Sequence, residues 1–299
     1  MSDYALGCKL PVADWVHLNR TAIFADPSLR RYASPFPPAA LMHNTSGLTS
    51  EADFASHGAD FWIALSSASP KPLTEFPSIL DFGCGCGRLA RMFKGHPGRI
   101  AGCDIDSRHV AWCAANLDYM ETKLSSVRPP IPFADNEFAA VISISVFTHL
   151  NESGSQRFLE ELHRVCRPDG MLFLTVHGRR ALERAISEPR TKAMLDMPED
   201  LFQSGRQHFL QGRHAFILQQ GHLTTTGKTS VRRGSTSGAF EYGITFVPDE
   251  YVRSEWTRWF ELIDYHAGAL HDFQDLVVLR PKKRMPAPSS AAPEAGRPA

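Results

Sequence analysis

The sequence lacks an excess of charge, a long apolar run and an abundance of cysteine. Its 32 basic and 32 acidic residues balance, so no net charge attracts it to nucleic acid or to an anionic membrane. No segment approaches the roughly 18 apolar residues of a membrane helix, and residues 1–8 show no leader pattern. The 6 cysteines in 299 residues indicate reduced core residues rather than a disulfide framework. We therefore expect a soluble, cytoplasmic protein.

Three zones of different composition follow one another along the chain. Residues 1–75 hold aromatic clusters, and their apolar spacing predicts a helix over about 51–67, so we expect an N-terminal helical cap or lid. Residues 76–281 alternate between strand and helix patterns and form the main domain, in which 181–245 is a polar insertion on the substrate side. Residues 282–299 are rich in Pro, Ala and Ser, which predicts a disordered tail.

Strand and helix patterns alternate with short connections in the main domain. We predict strands at 78–82, 99–103, 140–145, 171–176, 262–265 and 276–279. Helices are predicted to begin at about Gly87 and at Ser107, the second with Asp106 as its N-cap. A third helix should follow the strand at 140–145 and end at 167–170, and two more should span 180–195 and 249–260. This order indicates a doubly wound α/β fold with a parallel sheet.

A glycine-rich turn follows the first strand of that domain. Residues 79–91 read Ile-Leu-Asp-Phe-Gly-Cys-Gly-Cys-Gly-Arg-Leu-Ala-Arg. Glycines permit a tight turn and close approach of a ligand, and a helix after them would present free N–H groups. Residues 85–90 also satisfy the dinucleotide pattern G-x-G-x-x-A, so NAD is an alternative ligand. Two cysteines in this turn are too few for structural zinc, and we predict no metal.

Four ordered motifs resemble those of the class I S-adenosylmethionine-dependent methyltransferases, in particular the small-molecule, type 11/25-like domain. They lie at 80–88 (LDFGCGCGR), 102–105 (GCDI), 131–150 (IPFADNEFAAVISISVFTHL) and 164–174 (RVCRPDGMLFL). The resemblance implies a mainly parallel, seven-stranded Rossmann-like sheet with an N-terminal helical extension and an insertion after the fifth strand. It also implies S-adenosylmethionine as the cofactor.

The resemblance further implies which residues bind the cofactor. The backbone of 83–87 should hold its methionine part, with Asp81 placing the ammonium group, because a carboxylate attracts a cation. Asp104 should accept hydrogen bonds from the ribose hydroxyls, and Ile105 should pack on the adenine. A helix cap is the alternative role for Asp104, and Asp106 fits that role better. The full set of expected cofactor residues is Asp81, Gly83, Cys84, Gly85, Gly87, Arg88, Asp104, Ile105 and Ser145.

Three residues are candidates for catalysis. His149 follows the fourth strand, and an unperturbed pKa of about 6.5 suits a base at neutral pH. The alternative is that it packs under the loop or caps the next helix. Glu241 and Tyr242 lie in the insertion, where the resemblance places substrate contacts, although they can equally be surface residues of a strand. In the N-terminal zone His43, Asn44 and His57 are candidates for a lid over the cofactor.

We predict methyl transfer by in-line displacement to an oxygen, nitrogen or sulfur atom of a small molecule. The alternatives are a methyltransferase of protein or nucleic acid, a noncatalytic cofactor-binding protein and an NAD-dependent oxidoreductase. Balanced charge counts against nucleic acid, as does Ser-Val-Phe-Thr at 145–148, where methyltransferases of amino groups in nucleic acid carry Asn/Asp-Pro-Pro-Tyr/Phe. The fold does not choose the acceptor atom.

Overall fold

Nine strands form two sheets in the computed structural model, which describes residues 9–219 and 241–283. In chain order they are β1 (Ser78–Phe82), β2 (Arg99–Asp104), β3 (Met120–Leu124), β4 (Phe138–Ser143), β5 (Cys166–Val176), β6 (Ala215–Leu218), β7 (Gly243–Phe246), β8 (Phe260–Leu270) and β9 (Gln274–Pro281). The main sheet is seven-stranded with the order β3-β2-β1-β4-β5-β9-β8, and β6 and β7 form a two-stranded sheet. Strands β1 to β5 pair in parallel, whereas β9 is antiparallel to both neighbours.

Helices lie before, between and after these strands. The longer ones are α1 (Val12–His17), α2 (Ala39–Ser46), α3 (Glu51–Ala68), α4 (Ser107–Asn116), α5 (Glu152–Val165), α6 (Arg179–Ser187), α7 (Pro189–Leu195), α8 (Glu199–Leu210) and α9 (Asp249–Glu255). A π-helical turn (Leu18–Ala22) and a short helical segment (Ile23–Ala25) follow α1, and 3₁₀ turns occupy Pro27–Tyr32, Leu73–Glu75, Ala90–Phe93 and Trp256–Arg258.

The central strands are apolar throughout because the sheet is covered on both faces. Every residue of β1 and β4 is buried, as expected for parallel strands between two helical layers. Successive side chains point to opposite faces: Ile79 belongs to the same buried cluster as Trp62 of α3, whereas Leu80 belongs to the cluster that contains Leu162 of α5. The predicted doubly wound, mainly parallel sheet is confirmed, and the N-terminal helices cover one of its faces.

Several predicted helix boundaries agree with the structure. Helix α3 spans Glu51–Ala68, and its N-cap Ser50 accepts a hydrogen bond from the backbone N–H of Asp53. Asp106 caps α4 by accepting a hydrogen bond of 2.9 Å from the N–H of Arg108. Both caps satisfy amide groups that have no partner within the helix.

The predicted helix from Gly87 is wrong. The chain forms turns up to Leu89 and then only the 3₁₀ turn Ala90–Phe93. Gly87 and Gly95 both have left-handed backbone conformations, with φ of 85° and 82°. The short segment between these two interruptions cannot hold a regular helix of several turns.

Other boundaries differ because proline or the sheet overrides the helical pattern. The segment predicted as one helix over 180–195 is two helices, since Pro189 begins α7 after the extended Glu188. Helix α5 ends at Val165, and the predicted stop at 167–170 is already part of β5. Helix α9 ends at Glu255 rather than near 260, and β4 begins two residues earlier than predicted.

Some parts of the chain were not predicted or lie outside the described residues. Strand β3, helix α8 and the β6–β7 pair were not predicted as separate elements. The polar pieces at 221–227 and 234–238 lie outside the described residues, as does the tail from 284 onwards. Among the residues that are described, no helix is long and apolar enough to cross a membrane.

Burial of the central strands should dominate the stability of the fold. Leu174 in β5 is fully buried, whereas Leu124 in the edge strand β3 is 54% exposed. Leu174→Ala should lower the free energy of unfolding by about 2–5 kcal/mol, and Leu124→Ala by less than about 1 kcal/mol. Urea denaturation of both variants measures the difference. Equal losses would contradict the assignment of the core.

Candidate functional site

A cavity of about 630 Å³ lies along the carboxyl ends of the parallel strands. Its wall includes residues that directly follow β3, β2, β1, β4 and β5, in that spatial order: Ser125, Ile105, Gly83, Ile144 and His177. Between β1 and β4 the connections turn to opposite sides of the sheet, which is where doubly wound folds bind ligands. Helices α2 and α3, which precede the sheet in the chain, also contribute to the cavity wall.

The amide groups of the glycine turn already have hydrogen-bond partners in the protein. The N–H groups of Gly83 and Cys84 both donate to the carbonyl oxygen of Cys103, at 2.9 and 3.1 Å. The N–H of Gly85 donates to Oδ2 of Asp104 at 2.8 Å, and that of Gly87 to the carbonyl of Cys84 at 3.0 Å. These N–H groups are therefore already paired within the protein. The free N–H groups were expected at the start of a helix after the turn, and no regular helix begins there.

Glycine is required here for close packing as well as for conformation. Gly83 has φ of 79°, and a Cβ at this position would lie 2.3 Å from Cγ2 of Val146. A Cβ on Gly87 would lie 2.7 Å from Cδ1 of Leu117. Gly83, Gly85 and Arg88 line the cavity, whereas Gly87 does not. Cys84 is buried in the core and does not line it either.

Asp104 is a charged group of the cavity wall that two backbone amides hold in place. Its Oδ2 accepts the N–H of Gly85, and its Oδ1 accepts the N–H of Asp106 at 2.8 Å. Its side chain is 13% exposed, and Ile105 lies beside it in the wall. Asp106 also lines the cavity, but it caps α4 and accepts a hydrogen bond from Nδ2 of Asn44 at 3.2 Å. The prediction that Asp106 caps α4 is confirmed, and ribose binding by Asp104 stays a prediction.

Asp81 and Arg88 carry opposite charges near the glycine turn but form no ion pair with each other. Asp81 is 3% exposed, and its Oδ2 has no hydrogen-bond partner in the described structure. Burial, with a smaller contribution from the carboxylate of Asp104, raises the pKa of Asp81 to about 7, and Arg88 opposes the shift. Burial lowers the pKa of Arg88 to about 10. Its guanidinium lies 4.5 Å from the ring centroid of Phe61.

Of this pair, Arg88 lines the cavity and Asp81 does not. Arg88 makes no ion pair with any described residue. A pKa of about 10 leaves its guanidinium charged at neutral pH. The wall beside the glycine turn therefore presents one cation without a protein counter-ion, and a carboxylate lies behind the turn.

Ser145 is held in an unusual conformation where the chain leaves β4. Its φ of 61° is left-handed, which is uncommon for a residue other than glycine. Its N–H donates to Oγ1 of Thr175 at 2.8 Å, and Nε2 of Gln274 donates to its Oγ at 2.8 Å. These two bonds fix Ser145 in the cavity wall.

The structure brings His149 and Tyr242 together at the cavity. Their rings stack at 4.7 Å with an interplanar angle of 14°, and Nε2 of His149 lies 3.5 Å from the Tyr242 hydroxyl. Nδ1 of His149 lies 2.9 Å from the carbonyl of Gly243. Glu241 is exposed, accepts a hydrogen bond from Nδ2 of Asn151 and does not line the cavity. The structure thus separates Glu241 from the other two candidates.

His177 is a cavity residue that the sequence did not single out. It is 3% exposed and directly follows β5. Its ring centroid lies 4.9 Å from that of Phe273 and 5.7 Å from that of Phe246. Burial lowers the pKa of His177 to about 3, and His149 adds to this effect. The sequence signal that could have identified His177 was its position at the carboxyl end of a predicted parallel strand.

The candidate lid residues of the N-terminal zone also reach the cavity. His43, Asn44 and His57 all line it. The ring of His57 lies 4.3 Å from that of His271. Burial, His271 and Arg88 together lower the pKa of His57 to about 4, so this ring is neutral at physiological pH.

The described cysteines are buried free thiols: Cys84, Cys86, Cys103, Cys113 and Cys166. Burial raises the pKa of Cys86 to about 12, so its thiol is not a reactive thiolate. Within residues 9–219 and 241–283, no group of three or more His, Cys, Asp or Glu is arranged to hold a metal ion.

Comparison with known proteins identifies a domain and a fold. Residues 79–170 match the family model described as "Methyltransferase domain". The mouse protein named "Arginine-hydroxylase NDUFAF5, mitochondrial" is 30% identical over 105 residues, 35% of this chain and 30% of that protein. The tRNA (carboxymethyluridine(34)-5-O)-methyltransferase of Arabidopsis thaliana is 33% identical over 109 residues, 35% of this chain and 26% of that protein. The chain thus spans less than a third of these relatives.

Solved structures share the fold at low identity. The PH0226 protein of Pyrococcus horikoshii is 16% identical, with a TM-score of 0.53 over 77% of this chain and 92% of that chain. A chain from the complex of the Haloferax volcanii Trm112 methyltransferase activator with a putative methyltransferase is 14% identical. Its TM-score is 0.50 over 82% of this chain and 96% of that chain.

The buried carboxyl group of Asp81 should make stability depend on pH in the protein without ligand. Because folding raises its pKa from 3.8 to about 7, the folded state holds the proton more tightly. This contribution to stability is complete below pH about 4 and is lost as the pH rises to about 7. Asp81→Asn cannot ionise and should flatten that part of the profile. Urea denaturation from pH 4 to 8 tests this, and identical profiles for the two proteins would contradict it.

Proposed function

Because residues 79–170 form a methyltransferase domain in a chain with the class I S-adenosylmethionine-dependent methyltransferase fold, we propose that the protein transfers a methyl group from S-adenosylmethionine to a small molecule. The observation that carries the proposal is the cavity at the strand ends. There, the carboxylate of Asp104 and the unpaired guanidinium of Arg88 stand on either side of the glycine turn.

The described residues fit S-adenosylmethionine at each of its polar ends. Arg88 can pair with the carboxylate of the methionine part, and the orphaned oxygen of Asp81 supplies negative charge for its ammonium group. Asp104 can accept the ribose hydroxyls, and Ile105 offers an apolar contact for the adenine. When bound, the cofactor supplies a methyl group on a cationic sulfur, which the acceptor atom attacks in line as the carbon–sulfur bond breaks and its electron pair returns to sulfur.

The residues after β4 and β5 would orient the acceptor. Methyl transfer needs alignment and exclusion of water more than it needs a strong catalytic group. His149 stacks on Tyr242 and reaches the cavity, so it can take up the proton that a hydroxyl or ammonium acceptor loses. The bond between His149 and the Gly243 carbonyl sets the orientation of the ring.

The volume of the cavity supports a small acceptor. About 630 Å³ lies within the range of small-molecule sites, roughly 300–1,000 Å³. The free thiols are consistent with a reducing compartment, and we propose the cytoplasm. RNA is the second candidate, because the Arabidopsis relative carries the name of a tRNA methyltransferase. A second surface pocket is lined by Glu160, Glu161 and a larger number of basic residues: Arg128, Arg157, Arg164, Arg258, Lys282 and Lys283.

Transfer of a labelled methyl group decides between these acceptors. The full-length protein is incubated with methyl-labelled S-adenosylmethionine and a cell extract separated into small molecules, RNA and protein. We expect label in the small-molecule fraction, where mass spectrometry can identify the product. Label in RNA or protein would overturn the small-molecule proposal, and no label above that of Asp104→Ala in any fraction would count against transferase activity.

Asp104 and Asp106 provide a matched pair for testing the cofactor site. Asp104→Ala should weaken S-adenosylhomocysteine binding at least about tenfold, because it removes hydrogen bonds to a charged group. Asp106→Ala should change that affinity less than about threefold but lower stability by about 0.5–2 kcal/mol, since the cap of α4 is lost. Calorimetry and thermal unfolding measure the two effects. Equal losses of affinity would refute the assignment.

A further inference from the structure

The second surface pocket, called the basic pocket from here on, carries an excess of positive charge. None of the described residues that line it also lines the cavity at the strand ends. Six basic and two acidic side chains in its lining give a net charge of +4, although the chain as a whole is neutral. The basic residues are Arg128, Arg157, Arg164, Arg258, Lys282 and Lys283.

Three parts of the chain bring these cations together. Helix α5 contributes Arg157 and Arg164, which lie about two turns apart on one face. The connection after β3 contributes Arg128, and the other three come from the 3₁₀ turn before β8 and from the chain at the end of β9. Nε2 of His163 lies 2.8 Å from the carbonyl oxygen of Lys282, which ties α5 to that chain end. Apart from Arg164, each of these cations is exposed.

The protein itself neutralises only part of this charge. Glu161 is already engaged by Arg164, whose Nη2 lies 2.6 Å from its Oε1. Arg258 pairs with a carboxylate outside the pocket at 2.8 Å. Arg157 and Lys283 make no ion pair with any residue that the structure describes. These two exposed charges are therefore available to a ligand.

The parts of the chain outside the described residues hold too few carboxylates to neutralise the pocket. Residues 1–8, 220–240 and 284–299 contain two acidic side chains, Asp3 and Glu294, and five basic ones. Two carboxylates are fewer than a net charge of +4 needs. Neutralising the pocket therefore takes an anion from outside the chain.

The shape of the basic pocket indicates how large that anion is. Its volume of about 820 Å³ lies within the range of small-molecule sites, roughly 300–1,000 Å³. Cations that line a concave surface attract anions, and the attraction grows with the charge of the anion. A single strand of nucleic acid needs a groove that follows its backbone over several nucleotides, whereas these cations converge on one pocket. The arrangement suits a compact ligand with several negative charges.

We propose that the basic pocket binds a small molecule that carries two or more phosphate groups. The inference is independent of the proposed methyl transfer and adds a second ligand site. Arg157 can pair with two phosphate oxygens at once, and Lys283 supplies a point charge. The ligand is an inorganic polyphosphate or a nucleoside polyphosphate. For the second, Trp259 in the pocket lining supplies an aromatic surface on which a base can stack.

Calorimetric titration of the full-length protein with inorganic triphosphate, ATP and a single-stranded oligoribonucleotide tests this site. Each titration is run without divalent cations, with and without S-adenosylhomocysteine. Arg157→Gln and Lys283→Gln each remove a cation that makes no ion pair, so both variants should unfold at the temperature of the wild type. Arg190→Gln is the matched control, because Arg190 is also exposed, has no ion pair among the described residues and lines neither pocket.

We expect one-to-one binding of triphosphate that Arg157→Gln and Lys283→Gln each weaken about threefold to tenfold. Arg190→Gln should change the affinity less than about 1.5-fold, since a distant exposed charge is screened by solvent and salt. S-adenosylhomocysteine should leave triphosphate binding unchanged, because the two sites share no described lining residue. Tighter binding of ATP than of triphosphate, with the same response to the variants, identifies a nucleotide, and equal or weaker binding identifies an inorganic polyphosphate.

Four results would overturn the proposal. They are no saturable binding of either triphosphate or ATP, equal losses of affinity in Arg157→Gln and Arg190→Gln, competition between triphosphate and S-adenosylhomocysteine, and tighter binding of the oligoribonucleotide than of both small ligands. The last result would instead favour RNA as the partner. Failure of S-adenosylhomocysteine to bind counts against the proposed function alone, since triphosphate binding is also measured without it.

Discussion

The hydrogen bonds of the Asp104 carboxylate are the constraint on which the site depends. One oxygen holds the glycine turn through the N–H of Gly85, and the other holds the N–H of Asp106 at the start of α4. The end of β2, the turn after β1 and the following helix are thereby fixed to one another. Without this carboxylate, the turn would lose the partner of one of its buried amides. The wall beside β1 and β2 is thus rigid and charged.

The other side of the cavity is built differently. Strand β7 reaches across the sheet edge, since the N–H of Thr245 donates to the carbonyl of Thr148 and that of Val247 to the carbonyl of His177. These bonds bring the insertion to the ends of β4 and β5. Among the described residues, the wall beside β1 and β2 carries charged groups, whereas the opposite side of the cavity is made in part by a later segment of the chain.

The sequence motifs made the parallel sheet and the position of the glycine turn after β1 predictable, because strand and turn patterns are local in the sequence. The capping role of Asp106 could be predicted from its position before α4, whereas the expected role of Asp104 came from the family resemblance. The hydrogen-bond partner of the first turn amides was not predictable. It is the carbonyl oxygen of Cys103, which is about 20 residues away in the chain and becomes adjacent only because β1 and β2 pair in parallel. His177 was missed for a similar reason: its burial depends on Phe246 and Phe273, which are distant in the chain.

The central claim is that the glycine turn, with Asp104 and Arg88, binds a methyl donor rather than a dinucleotide. Isothermal titration of the full-length protein with S-adenosylmethionine, S-adenosylhomocysteine and NAD tests it most directly. The account predicts saturable one-to-one binding of both sulfur compounds and no detectable binding of NAD. Binding of NAD with no binding of either sulfur compound would contradict it.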